Sequence, residues 1–200
     1  CGSRGGAAYT SAIINAHSQI SFSSDQLKFF VFVKQRFPKI KKSNLDKVLE
    51  EFRLRLEIRW NIKFDVDFCK YLIGSNYSFS NLYQAFMKSA YKMDNTSIFL
   101  GECENISWEH VPFFLKSIPN SKALSIIRDP RDVLFSFKEL TIAKKNDYLL
   151  NVFNTKALLQ SSIKYKKAYK GRFYIIKFEE MKKNLKKEVK NICHFIGVNF

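Results

Sequence analysis

The 200-residue chain has no apolar run long enough to span a bilayer. The nearest approach, Gln26–Val33, is interrupted by Lys28 and closed by Lys34. No stretch joins a basic start, an apolar middle and a small-residue cleavage site, so no secretory leader is readable in it. The chain opens at Cys1 inside a motif and reads as a fragment, which leaves an upstream targeting segment open. Cysteine is sparse and scattered. Cys1, Cys69, Cys103 and Cys193 form no C-x-x-C pair, which argues against a zinc site or a disulfide framework and for reduced thiols. A Gly/Ser-rich linker and internal repeats are both lacking, so residues 1–200 are expected to form one domain, truncated at both ends. Acidic residues are few, 18 against 34 basic ones, and the resulting charge of +16 favours an anionic partner. Most of that excess is lysine. Lys39, Lys41, Lys42 and the Lys182–Lys190 group read as solvated faces, and no nucleic-acid-binding motif accompanies them.

What is present is globular: 46% apolar and 26% charged residues are enough to bury a core. A glycine-rich turn, Gly2-Ser3-Arg4-Gly5-Gly6, leads into an apolar-periodic stretch from Ala7 to His17, the pattern of a loop opening a helix. Helical spacing recurs over Asp25–Phe37, after Ser43-Asn44-Leu45-Asp46 read as a capping box, and over Ser80–Met93. Asn61–Tyr77 has no clear period. Further on, Ser97–Leu100 is a short apolar run, Lys122–Ile127 reads as a buried strand and Arg172–Ile176 as a β-rich run. They alternate with helices over Ser107–Ser117, from an Asp132 cap to Leu140, over Tyr148–Ala168, and over Glu179–Phe195 closing at Gly197. This alternation predicts an α/β fold with a central, mainly parallel sheet flanked by helices, and ligands at the carboxyl ends of its strands.

Two segments carry anion chemistry. Backbone N–H groups in a glycine turn continued by a helix N-terminus form a cradle for phosphate, and Arg4 adds a planar charged fork. The Walker lysine is absent from this loop, which argues against an ordinary ATPase or kinase. A glycine turn of this kind is also common with no ligand at all. The second segment, Ile126-Ile127-Arg128-Asp129-Pro130-Arg131-Asp132-Val133-Leu134-Phe135-Ser136, puts Arg128 at the carboxyl end of a strand and Ser136 two turns into the next helix. An arginine and a hydroxyl so placed can share one phosphate. The bland alternative is an Arg–Asp network that fastens the turn, which suits Arg131 better than Arg128.

Together these segments resemble the sulfotransferase superfamily, in the branch holding tyrosylprotein, Golgi carbohydrate and many bacterial sulfotransferases. Arg4-Gly5-Gly6-Ala7-Ala8 is similar to that family's P-R-S-G-T-T loop, and Ile14-Asn15-Ala16-His17 to its L-x-A-H-P. Ile118-Pro119-Asn120-Ser121-Lys122 through Arg128-Asp129-Pro130-Arg131 and Ser136 is similar to F-P-N-A-K-F-I-x-x-V-R-D-P-R-x-x-x-x-S. Ile176-Lys177-Phe178-Glu179-Glu180-Met181, then Phe195-Ile196-Gly197, are similar to V-x-Y-E-D-L and F-L-G. The resemblance implies a three-layer fold like that of P-loop NTPases. It implies sulfuryl transfer from PAPS (3′-phosphoadenosine 5′-phosphosulfate) to a hydroxyl or amine of a glycan, lipid-linked sugar or protein, with no metal. Arg4, Gly5, Gly6, Ala7 and Ala8 would hold the 5′ side of the nucleotide, and Arg128 with Ser136 the 3′-phosphate. Relatives place the base where Asp25 falls; Glu102 and Glu104 are secondary candidates. By the same resemblance the compartment is cytoplasmic for a bacterial protein and the Golgi lumen for a eukaryotic one.

The departures from the family pattern define the alternatives. Gly5, Ala7 and Ala8 replace the loop hydroxyls, each worth about 1–3 kcal/mol toward a charged ligand, with Thr10 and Ser11 as possible substitutes. Cys103 stands where relatives carry a lysine that stabilises the leaving oxygen. A catalytically impaired nucleotide- or glycan-binding relative is therefore the second reading, and a basic nucleic-acid-binding module the third. His17, His110 and His194 are expected to be structural.

Overall fold

The computed structural model describes residues 4–23, 29–91, 97–104, 108–138 and 147–200. After the loop, helix α1 (Ala7–Asn15) runs into strand β1 (Ile20–Ser23). That strand was not legible in the sequence: its four residues, Ile-Ser-Phe-Ser, are too short a run to establish a period. It pairs in parallel with β2 (Phe99–Glu102), Ile20 opposite Phe99 and Ser23 opposite Glu102. Strands β3 (Ala123–Ile127) and β4 (Phe173–Lys177) form a second parallel pair, Ala123 opposite Phe173. The fold is thus α/β, with parallel strands flanked by helices.

The strands stand in two pairs rather than one continuous sheet among the described residues. The N–H groups of Phe99 and Cys103 donate to Gln19 and Ser23, and that of Ala123 donates to Arg172. Backbone polar groups alternate sides along a strand. Leu100 and Glu102 of β2, and Leu124 and Ile126 of β3, therefore turn theirs away from β1 and β4. A cavity of about 190 Å³ lies there, lined by both β2 and β3.

Helices α2 (Phe29–Arg36), α3 (Lys42–Trp60), α4 (Val66–Ile73) and α5 (Phe79–Tyr91) gather around an aromatic core. Phe29 stacks on Phe52 at 5.3 Å, and Phe86 meets Phe52 at 4.4 Å. The period-less stretch 61–77 resolves into α4, capped by Asp65, whose carboxylate accepts from Phe68 N. Helix α3 starts earlier than the expected capping box. Asn44 Oδ1 accepts from Lys41 N at 2.8 Å, and Asp46 instead pairs with Lys70 of α4 at 2.7 Å.

The remaining helices are α6 (Val111–Ser117), preceded by a 3-10 turn at Trp108–His110, then α7 (Pro130–Lys138), α8 (Asp147–Ala168), α9 (Phe178–Lys183) and α10 (Leu185–Ile196). Two expectations need correction here. Asp129, not Asp132, caps α7: its Oδ1 accepts from Arg131 N at 2.8 Å, and Pro130 takes the first helical position. The single helix expected over 179–195 is broken at Asn184, whose non-helical backbone (φ −143°, ψ 69°) ends α9 and whose side chain caps α10. A second core of Ile14, Ile20, Ile126, Ile176, Met181, Ile192 and Ile196 joins α1, the strands, α9 and α10. Among the described residues no helix is long and apolar enough to cross a membrane.

Candidate active site

The loop reaches α1 through two left-handed residues, Arg4 at φ 62° and Gly6 at φ 94°. Gly6 is the N-cap of α1 and makes no side-chain cap bond, and the first turn carries no acidic residue. The positive end of that helix is therefore not neutralised by its own side chains.

The second segment meets this loop directly. β3 ends at Ile127, and the turn after it carries Arg128 to the loop, where Nη1 donates to the Arg4 carbonyl at 3.2 Å. From the second turn of α7, Ser136 Oγ accepts from Arg4 Nε at 2.9 Å. Arg4, Gly6, Arg128 and Ser136 are thus assembled at one place, at the carboxyl end of β3 and the N-terminus of α1.

The two arginines of the turn have different surroundings. Arg131 is fully engaged by Asp129, through Nη2 at 2.7 Å and Nε at 3.0 Å. That fork holds the Asp129 carboxyl down at about 2. Arg128 has Asp132 only at 3.9 Å, and its Nε is buried with no hydrogen-bond partner among the described residues. Arg131 fastens the turn, then, while Arg128 keeps donor capacity for an anion.

The hydroxyls missing from the loop are not replaced by Thr10. Its Oγ1 donates back to the Gly6 carbonyl at 3.0 Å and lies 3.6 Å from Met181 Sδ. Thr10 and Ser11 are both buried, facing the second core and the cavity rather than an open loop.

The expected catalytic carboxylates fall elsewhere. Asp25 lies outside the described residues. Glu102 and Glu104 line the cavity between β2 and β3, together with Thr10, His110 and Lys122; none of Arg4, Gly6, Arg128 and Ser136 lines it. Both Glu102 oxygens are buried away from hydrogen-bond donors of the described residues. Burial first, then the neighbouring Glu104 charge, push the Glu102 carboxyl well above the usual carboxylate range. Cys103 sits between them, and Lys122 does not supply the cation it lacks. The Lys122 ammonium donates to the Phe195 and Ile196 carbonyls at 2.6 and 2.8 Å, closing the end of α10.

His17 is structural: Gln19 N donates to its Nδ1 at 3.1 Å, so Nε2 carries the proton and donates to the Asn199 carbonyl at 2.7 Å. The residue that sequence reasoning missed is Phe178, which lies against both Gly6 and Arg128. Its only signal was an aromatic residue directly after a strand, in the segment similar to V-x-Y-E-D-L.

A glycine loop opening a helix, met by an arginine at the carboxyl end of a parallel strand, is an arrangement with the chemistry to hold a phosphate or sulfate. The model of the sulfotransferase family matches residues 2–200, and the chain belongs to that family. No curated protein matches it. Among solved structures it is similar to the sulfotransferase domain of the Synechococcus PCC 7002 olefin synthase, at 16% identity and TM-score 0.67, over 100% of this chain and 71% of that one. The sulfotransferase domain from the curacin biosynthetic pathway is similar at 19% identity and TM-score 0.61, over 100% and 72%. A sulfotransferase from Alicyclobacillus acidocaldarius follows at 14% identity and TM-score 0.59, over 99% and 78%. At these identities the likeness is one of fold.

Proposed function

We propose that this sulfotransferase takes its sulfuryl group from PAPS and delivers it to a hydroxyl or amine acceptor, releasing PAP (adenosine 3′,5′-bisphosphate). The observation that carries the reading is the junction of the two anion-binding segments, Arg4 Nε to Ser136 Oγ and Arg128 Nη1 to Arg4 O. A nucleotide with phosphates at both ends of one ribose needs two such binding elements side by side.

The residues present fit that donor. An Arg128 Nε that is buried and unpartnered among the described residues, and an α1 N-terminus with no side-chain cap from Gly6 and no acidic residue in its first turn, suit an anionic ligand. Arg128 and Ser136 would hold the 3′-phosphate, one by charge and one by a neutral hydrogen bond. Arg4 and the backbone of Gly5 to Ala8 would hold the 5′ side, where the donor carries its activated sulfuryl group. The protein's share of the chemistry is positioning and charge stabilisation. In the reaction the bond from sulfur to the bridging phosphate oxygen breaks, one to the acceptor heteroatom forms, and the acceptor proton passes to a base. Asp25 is proposed for that base, with Glu102 and Glu104 as second candidates; Glu102 works as a base only after losing a proton its burial holds tightly. The acceptor is a glycan, a lipid-linked sugar or a protein side chain.

A second reading, a family member that binds the nucleotide without turnover, is favoured by two observations. Thr10 is spent on the Gly6 carbonyl, and Lys122 on the end of α10. Calorimetry of PAP binding to the wild type and Arg128→Ala, followed by an acceptor screen with PAPS, separates the cases. We expect Arg128→Ala to weaken PAP binding by about 1.5–3 kcal/mol. A wild type that does not bind PAP refutes both readings; binding without turnover of any acceptor leaves the second.

A further inference from the structure

We infer that Phe178 and Glu179, at the junction of β4 and α9, are positioning residues that clamp the two halves of the anion site together; this rests on the nucleotide reading above. The segment Ile176–Met181 has no role in that reading, yet its Phe178 touches both halves and its Glu179 holds the turn beside Arg128.

The Phe178 ring is the common surface. A Cβ added to Gly6 would lie 2.2 Å from Phe178 Cδ2 and 2.4 Å from Cε2, so the ring rests directly on the loop backbone. Gly6 also needs its left-handed φ of 94°, which L side chains seldom adopt. Loop conformation and ring contact therefore demand glycine for two separate reasons. The Arg128 guanidinium lies over the same ring, 5.2 Å from its centroid. Tyr9, in the first turn of α1, meets the ring edge-on at 5.9 Å. One side chain thus supports the loop, the helix behind it and the arginine of the opposite segment.

Glu179 completes the clamp from the next position. Its Oε1 accepts from the Asp129 backbone N–H at 2.7 Å, one residue beyond Arg128. The carboxylate fixes the turn that aims Arg128, while the ring sets the height of the guanidinium. The remaining bond to the loop, Arg128 Nη1 to the Arg4 carbonyl, uses one nitrogen and leaves the buried Nε for a ligand. Without the ring, Arg128 has Asp132 at 3.9 Å as its nearest charge and can swing toward it, away from the loop.

The test measures PAP binding by calorimetry for the wild type, Phe178→Leu, Phe178→Tyr and Glu179→Ala, with the melting temperature of each recorded alongside. Phe178→Leu is expected to weaken PAP binding roughly tenfold, and Phe178→Tyr, which keeps the ring, to restore it to within about threefold of wild type. Glu179→Ala removes an exposed side chain and is expected to weaken binding severalfold with little change in melting temperature. Restoration by tyrosine, with a Phe178→Leu melting temperature close to that of the wild type, separates a ring that aims Arg128 from one that only packs. If Phe178→Leu and Glu179→Ala bind PAP as the wild type does, or if tyrosine is no better than leucine, the clamp is refuted while the nucleotide reading stands. If the wild type itself fails to bind PAP, both fall together. Should Phe178→Leu not fold, Glu179→Ala and Phe178→Tyr decide the matter between them.

Discussion

At the residue scale, the informative group is Glu102. Its folded-state pKa is raised, so the fold favours the protonated carboxyl. Stability from that preference is fully present below the ordinary carboxylate pKa and is lost as pH rises through the folded one. The wild type should therefore lose stability as pH rises above the ordinary carboxylate range. Glu102→Gln, which keeps the shape and removes the titration, should match the wild type at the acid end. It should exceed the wild type at the alkaline end. Urea unfolding of both proteins from the acid to the alkaline end checks this; parallel curves would mean Glu102 is not held protonated. The arginines show what a sequence can and cannot convey at this scale. Arg128 and Ser136 were legible because strand, turn and helix fix their separation within one short segment. Phe178 was not, because its contacts with Gly6 and Arg128 close across most of the chain, and no local pattern marks them.

At the scale of elements, the split between the strand pairs makes a definite prediction. Leu100, Leu124 and Ile126 line the cavity and by strand alternation turn their amides from β1 and β4, whereas those of Phe99 and Ala123 donate to Gln19 and Arg172. Hydrogen exchange should alternate along β2 and β3, the even-numbered amides exchanging faster than their odd-numbered neighbours. Uniform protection along either strand would show that its second edge is paired in solution. The helices were legible wherever an apolar stripe ran for several turns, as in α3 and α5. Their ends were less so, because side-chain bonds set them. Asn44 rather than Ser43 fixes the start of α3, and Asn184 divides what its amphipathic pattern presents as one helix. Strand β1 was missed for a related reason, since four residues show no period and only pairing with β2 makes them a strand.

At the scale of the molecule, the aromatic core of α2 to α5 and the proposed anion site are built from different residues, and a mutation can address one without the other. Phe86 is fully buried among Phe29, Phe52 and Phe64. Phe86→Ala should cost about 3–5 kcal/mol of stability. PAP affinity measured well below the lowered melting temperature should be unchanged. The charge of +16 permits the same kind of separation. The lysines of α10 are exposed, and their attraction for any polyanion acts through solvent. Arg128, only 25% exposed and set on an aromatic ring, acts at contact distance. Salt shortens the Debye length from about 10 Å at 0.1 M to about 3 Å at 1 M, which removes the first kind of attraction and spares much of the second. Binding of random-sequence DNA should therefore collapse, losing on the order of a thousandfold between 50 and 200 mM salt if several phosphates are contacted. PAP binding should fall by less than about tenfold over the same range. Equal losses for the two ligands would reduce the anion site to general basicity, and a steep slope for PAP alone would mean that Arg128 is far more exposed to solvent than its ring contact implies.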